Sequence, residues 1–88
     1  MPVQLSVMIE LIGDDPELLE ILYEAGAIPR GAERLEETEV EAALVARTLV
    51  RELEVNGPGV EIILRLREEL LAQRRQVAGL LALLRKPR

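Results

Sequence analysis

Residues 49–66 read LVRELEVNGPGVEIILRL, and the break at their centre separates two helical patterns. On the upstream side Val40, Leu44, Val45, Leu49, Val50 and Leu53 recur at helical spacing. They predict a helix from Glu37 or Thr38 to about Leu53, with Thr38 as its cap and Glu41 three residues on. Val55-Asn56-Gly57-Pro58-Gly59 cannot continue that helix, and the Asn56 side chain is placed to cap the next one. The downstream helix is predicted from about Pro58 to Lys86, with Pro87 and Arg88 as a frayed tail. Within it Ile63, Leu66, Leu70, Gln73, Val77, Leu80 and Leu84 alternate spacings of three and four, the mark of a coiled-coil seam. At 1.5 Å per residue this helix is roughly 40 Å long, more than a small domain covers. Part of the seam is therefore expected to pack on another chain, giving a homo-oligomer whose register Gln73 helps to set. Glu68-Glu69 and Arg74-Arg75 are expected to form surface pairs along it.

Upstream of these helices, Leu5, Val7, Met8, Ile9, Leu11 and Ile12 fit a short helix buried on more than one side, with a strand as the alternative. Gly13 closes it. Asp14-Asp15-Pro16-Glu17 then combines an N-cap carboxylate, a proline in the first turn and acids at the positive end of the helix dipole. Capping accounts for Asp14 and Asp15 better than a metal, because hard cations take six or more oxygens from a shaped loop. The helix that follows runs from Pro16 to about Ala25. Leu18, Leu19, Ile21, Leu22 and Ala25 form its apolar face, Glu17, Glu20 and Glu24 an acidic stripe, and Gly26 its C-terminal cap. Ile28 to Leu35, interrupted by Pro29 and Gly31, reads as a loop or a small wing. The expected organisation is all-α and one structural domain: a unit over residues 1–57 and a long C-terminal helix over 58–88.

Composition narrows the function. The 88 residues are 49% hydrophobic, with one Tyr and no Phe or Trp, so the core is aliphatic and no aromatic platform exists for stacking bases. There is no Cys and no His, which removes thiolate chemistry and the commonest acid-base residue. Ser6, Thr38, Thr48 and Tyr23 have no histidine to activate them, and Lys86, the only lysine, is in the tail. No enzyme, metal or cofactor is expected. The N-terminus makes a poor signal peptide and no apolar run approaches the roughly 20 residues that span a bilayer, so a cytoplasmic location is expected. Residues 1–45 carry eleven acids against Arg30 and Arg34, a balance of −9, while residues 46–88 carry nine bases and five acids, a balance of +4. The acidic half should steer towards a basic protein surface and away from phosphates.

The order of elements resembles the MerR-like winged-helix superfamily, whose N-terminal helix-turn-helix unit precedes a long C-terminal coiled-coil helix that dimerises antiparallel. Its most specific stretch is the one quoted above, which is similar to an "LGVN-x-x-GV-x-x-IL-x-L" pattern shared by MerR-type heat-shock repressors and the chaperone-modulator family. Leu53, Val55, Asn56, Gly59, Val60, Ile63, Leu64 and Leu66 match it, and Glu54 stands where the pattern has Gly. MerR-type DNA readers carry Arg and other polar residues on the second helix. Glu17, Glu20 and Glu24 occupy it here, so a DNA-binding regulator is the weaker of the two readings. The chaperone-modulator resemblance implies an adaptor that binds the J-domain of a DnaK co-chaperone and regulates or assembles that system. J-domains present a basic helical surface, and the expected contact residues are Asp14, Asp15, Glu17, Glu20, Tyr23 and Glu24.

Overall fold

In the computed structural model, which describes residues 2–85, the chain runs β1 (Val3–Gln4), α1 (Leu5–Leu11), α2 (Pro16–Glu24), β2 (Arg34–Leu35), α3 (Glu37–Arg51) and α4 (Gly57–Arg85). Helix accounts for 71% of it, so the all-α class expected from the periodicity holds. Lys86, Pro87 and Arg88, where the sequence predicts a helix end and a tail, lie outside the described residues.

The turn between α1 and α2 is built from backbone geometry and two distant arginines. Gly13 and Asp14 adopt positive φ (80° and 54°), a region open to Gly and tolerated by Asp. At the carboxyl end of α1, Arg47 Nη1 donates to the Leu11 carbonyl (3.1 Å) and Arg51 Nη2 to that of Ile12 (2.6 Å). Cations are favoured there, since these carbonyls lack helical partners and form the negative end of the dipole. Helix α2 then starts as its sequence predicts: the Leu18 N–H donates to Asp15 Oδ1 (3.1 Å) and Pro16 occupies the first turn. Ala25 ends it, with Gly26 beyond at φ 72° and the Ala27 N–H returning to the Leu22 carbonyl (3.0 Å).

Two expectations are corrected and one is made specific. The segment read as a loop or wing contains β2, which pairs antiparallel with β1 in the register Val3↔Leu35 and Gln4↔Arg34. Helix α3 is capped by Glu36 rather than Thr38, because the Glu36 N–H finds the Glu39 carboxylate at 2.7 Å. Its other end comes at Arg51, two residues before Leu53, since Glu54 turns into the left-handed region at φ 55°. Leu53 is left exposed while the Val55 N–H returns to the Leu49 carbonyl (2.9 Å). Asn56 caps as expected: its Oδ1 accepts from the Gly59 N–H at 2.8 Å.

The core draws on every helix. Met8 and Ile12 from the α1 end, Leu18 and Leu22 from α2, Ile28 and Leu35 from the connection, Ala43 and Ala46 from α3, and Val60 and Leu64 from α4 are buried. Each buried aliphatic of leucine size contributes roughly 1.5–3 kcal/mol by leaving water. Two alanines on the buried face of α3 let its neighbours approach closely. On α4 the side that meets this core is Val60 and Leu64, with Arg67, Leu71 and Ala72 half-buried; from Gln73 to Arg85 every residue is exposed. The molecule measures 55 × 27 × 20 Å, its long dimension reflecting a helix of 29 residues that outruns the core.

The expected pairs among Glu68, Glu69, Arg74 and Arg75 are absent from the ion pairs of the described residues. Five to seven residues separate these acids from these bases, whereas one helix brings together only i, i+3 and i, i+4. Arg65–Glu61 (3.1 Å), at i, i+4, and Arg67–Glu41 (3.8 Å), which ties α4 to α3, form instead.

Candidate functional site

Helix α2 presents its acidic stripe to solvent because Leu18 and Leu22 pull the opposite face into the core. Glu17, Glu20 and Glu24 are exposed, as is Asp14 in the turn before them. Asp15 is half-buried and committed to the structure: it caps α2 and lies 3.6 Å from Arg51. Tyr23 is half-buried against the core.

Arg30 changes the character of this face. Its guanidinium clasps the Glu20 carboxylate through both terminal nitrogens, Nη1 at 3.2 Å from Oε2 and Nη2 on Oε1, and stands 4.9 Å from the centroid of the Tyr23 ring. The hydrogen bonds from Arg30 hold the Glu20 carboxyl below the ordinary carboxylate range. That carboxylate in turn holds Arg30 above its ordinary value. The stripe thus has two ends, Glu17 and Glu24, that form no ion pair among the described residues, around a neutralised centre that fixes a tyrosine edge. Sequence reasoning assigned Glu20 to the contact surface but not Arg30. Local pattern holds no signal for the pair, since ten residues and a helix end separate its members.

A second surface lies on α4. Of the seam residues, Ile63 is half-buried, whereas Leu66, Leu70, Gln73, Val77, Leu80 and Leu84 are exposed. The seam does not coincide with the side that packs on the core: Val60 and Leu64 are buried there while Leu66 and Leu70 remain at 57% and 49% exposure. Ile62, Leu81 and Leu83 widen the exposed apolar surface. Across the helix from it, a groove of about 610 Å³ runs between the end of α2, the start of α3 and α4, floored by Ala25, Ala27, Ala42, Leu71 and Ala72.

The candidate nucleophiles are scattered. Thr48 Oγ1 donates to the Leu44 carbonyl of its own helix (3.3 Å), Thr38 borders the groove, and Ser6 borders a shallow depression beside Glu33 and Arg34. Among the described residues no helix is long and apolar enough to cross a membrane. Comparison with known proteins finds no family model, no curated protein and no solved structure that matches the chain.

Proposed function

We propose that the chain is a non-catalytic adaptor of the chaperone-modulator kind, acting in the cytoplasm, that takes the J-domain of a DnaK co-chaperone on the outer face of α2. In this reading α1, its turn and α2 form a MerR-like helix-turn-helix, the β1–β2 pair stands beside it, and α4 is the long C-terminal helix.

The observation that carries the proposal is the backbone of the α3–α4 connection. Glu54 occupies the position where the resembled pattern has Gly, and its φ is 55°, a conformation that favours Gly and costs a long side chain such as Glu. Gly59, which the pattern also holds, leaves no room for a side chain: a Cβ there would stand 2.7 Å from Val55 Cγ1 and 3.1 Å from Asn56 Oδ1. Both pattern glycines thus answer to a geometry that this chain adopts, and Asn56 caps as the pattern requires. The partner surface is supported by charge. Glu17 and Glu24 remain available to a basic helix, and Tyr23, braced by Arg30, offers the apolar contact that a salt-independent part of the affinity needs. The same acids oppose the MerR-like DNA reader, whose second helix would press them against phosphate.

The test is calorimetric titration with the J-domain of the DnaK co-chaperone from the same organism, at moderate and high salt. Binding that weakens with salt, and falls about tenfold in Glu17→Lys/Glu24→Lys, is the expected result. Absence of a complex at both salt concentrations overturns the reading. Equal affinity of the charge-reversed variant moves the contact away from α2.

A further inference from the structure

We propose that Arg30 is an internal competitor for the outer face of α2: in the free chain it holds the place on Glu20 and the Tyr23 ring that an arginine of the bound protein takes, and its release is a step of binding. The inference rests on the reading that a basic helix docks on α2, and adds to it the chemistry that the face selects and a limit on its affinity.

The contact within the chain shows what the face accepts. Arg30 meets the Glu20 carboxylate with both terminal nitrogens and stands 4.9 Å from the centroid of the Tyr23 ring. A forked carboxylate contact beside an aromatic ring suits a planar guanidinium, whereas a lysine ammonium is a point charge that cannot fork. The hydrogen bonds to Glu20, and beyond them the negative charges of Glu20 and Glu24, favour a cation at this place. A basic helix that meets the free chain therefore finds Glu17 and Glu24 exposed, while the charge of Glu20 is already answered. Glu20 and the part of Tyr23 beside the guanidinium become available when Arg30 leaves.

Arg30 leaves without disturbing the fold. It sits at the tip of a turn in the connection between α2 and β2, where the Ala32 N–H donates to the Pro29 carbonyl (3.3 Å) and Gly31 takes a φ of 82°. Buried Ile28 and Leu35 anchor the chain on either side of that turn. The side chains of Arg30 and Glu20 are 59% and 50% exposed, so swinging the guanidinium outward uncovers no core and lets water take up the hydrogen bonds. Exposed pairs of this kind favour the closed form by about two- to fivefold. A partner that needs the open form binds more weakly by a similar factor, because its apparent Kd scales with the reciprocal of the open fraction.

Titration of the whole chain with two ligands tests the mask. One is the J-domain, followed by calorimetry; the other is an alanine-rich helical peptide with arginines at i, i+4, followed by NMR shifts of α2. Arg30→Gln should bind each ligand about three- to tenfold more tightly than the unaltered chain at moderate salt, and the gain should shrink at high salt. Arg34→Gln removes the same charge from β2 and leaves the clasp intact, so it should change either affinity by less than about twofold. Adding Glu20→Gln to Arg30→Gln should cancel the gain, and a lysine version of the peptide should lose most of the preference for Arg30→Gln. Equal or weaker binding of the arginine peptide by Arg30→Gln overturns the mask, as does an equal gain from Arg34→Gln, which traces the effect to net charge. A J-domain complex that Arg30→Gln leaves equal or weaker overturns the mask as a step of that association. A J-domain that binds neither chain, beside a peptide that prefers Arg30→Gln, overturns the J-domain reading and leaves the mask in place.

Discussion

The first half of α4 sinks Val60 and Leu64 to 0% and 7% exposure, whereas its second half leaves Val77, Leu80 and Leu84 at 55%, 61% and 82%. The apolar residues of the two halves do not differ in kind, aliphatic with arginines between, although the acids Glu61, Glu68 and Glu69 all lie in the first. They differ in what reaches them. Helices α2 and α3 extend alongside α4 only as far as Ala72, so apolar periodicity beyond that point has no intramolecular answer. An apolar stripe states that a face will be covered, and the tertiary structure decides whether the same chain covers it.

The sharpest way to break this comparison is to remove the same atoms from each half. Leu64→Ala should cost about 2–5 kcal/mol, because it leaves a cavity among Leu22, Val60 and their neighbours. Leu80→Ala should change the stability of dilute chain by less than about 0.5 kcal/mol while weakening self-association. Urea denaturation at two protein concentrations separates these results. Equal losses at low concentration would mean that the distal half is stabilised within its own chain.

A smaller effect is expected where α4 enters the core. Gly59→Ala adds a methyl 2.7 Å from Val55 Cγ1, and Val55 is a half-buried, β-branched side chain with little freedom to move. Against the helix-propensity gain of Ala over Gly, a net loss of about 1–2 kcal/mol is expected, with the seam unaffected. A stabilised variant would show that Val55 yields freely. Glu54→Gly acts at the same connection in the opposite direction. It relieves a left-handed residue at some entropic cost in the unfolded chain, and a gain of about 0.5–1 kcal/mol should appear as a higher denaturation midpoint.

Much of this was readable from local signals. Asp15, Pro16 and Gly26 bound α2 in the sequence as they do in the structure, and the seam spacing identified the exposed stripe of α4. What was not readable depends on contacts between distant residues. The β1–β2 pair joins Val3 to Leu35 with only two residues on each side, too short for an alternating pattern. Thr38 looked like the cap of α3 because it has a hydroxyl and an acid three residues on, but Glu36 and Glu39 repeat that spacing two residues earlier. On α4 the seam and the buried side are both apolar between Val60 and Leu71, so periodicity alone could not tell which faces inward. In the candidate site, the exposure of Glu17 and Glu24 followed from the apolar face opposite them. The capture of Glu20 by Arg30 did not, since it depends on how residues 25–33 return across α2.

That capture leads to the smallest predicted effect, one confined to the body of the molecule. Arg30 holds the Glu20 carboxyl below its ordinary range in the folded chain, so the pair stabilises the fold above the ordinary carboxylate pKa and loses that contribution as pH falls through the depressed value. Both side chains are exposed, with about half their surface in water, so the effect is small and screened by salt. Glu20→Gln should therefore lower the denaturation midpoint slightly near neutral pH at low salt and converge with the unaltered chain in acid. It should leave the seam's self-association unchanged at every pH, because Glu20 lies on α2 and the seam on α4. A pH-independent difference between the two chains would assign the Glu20 contribution to packing beside Tyr23 rather than to its charge.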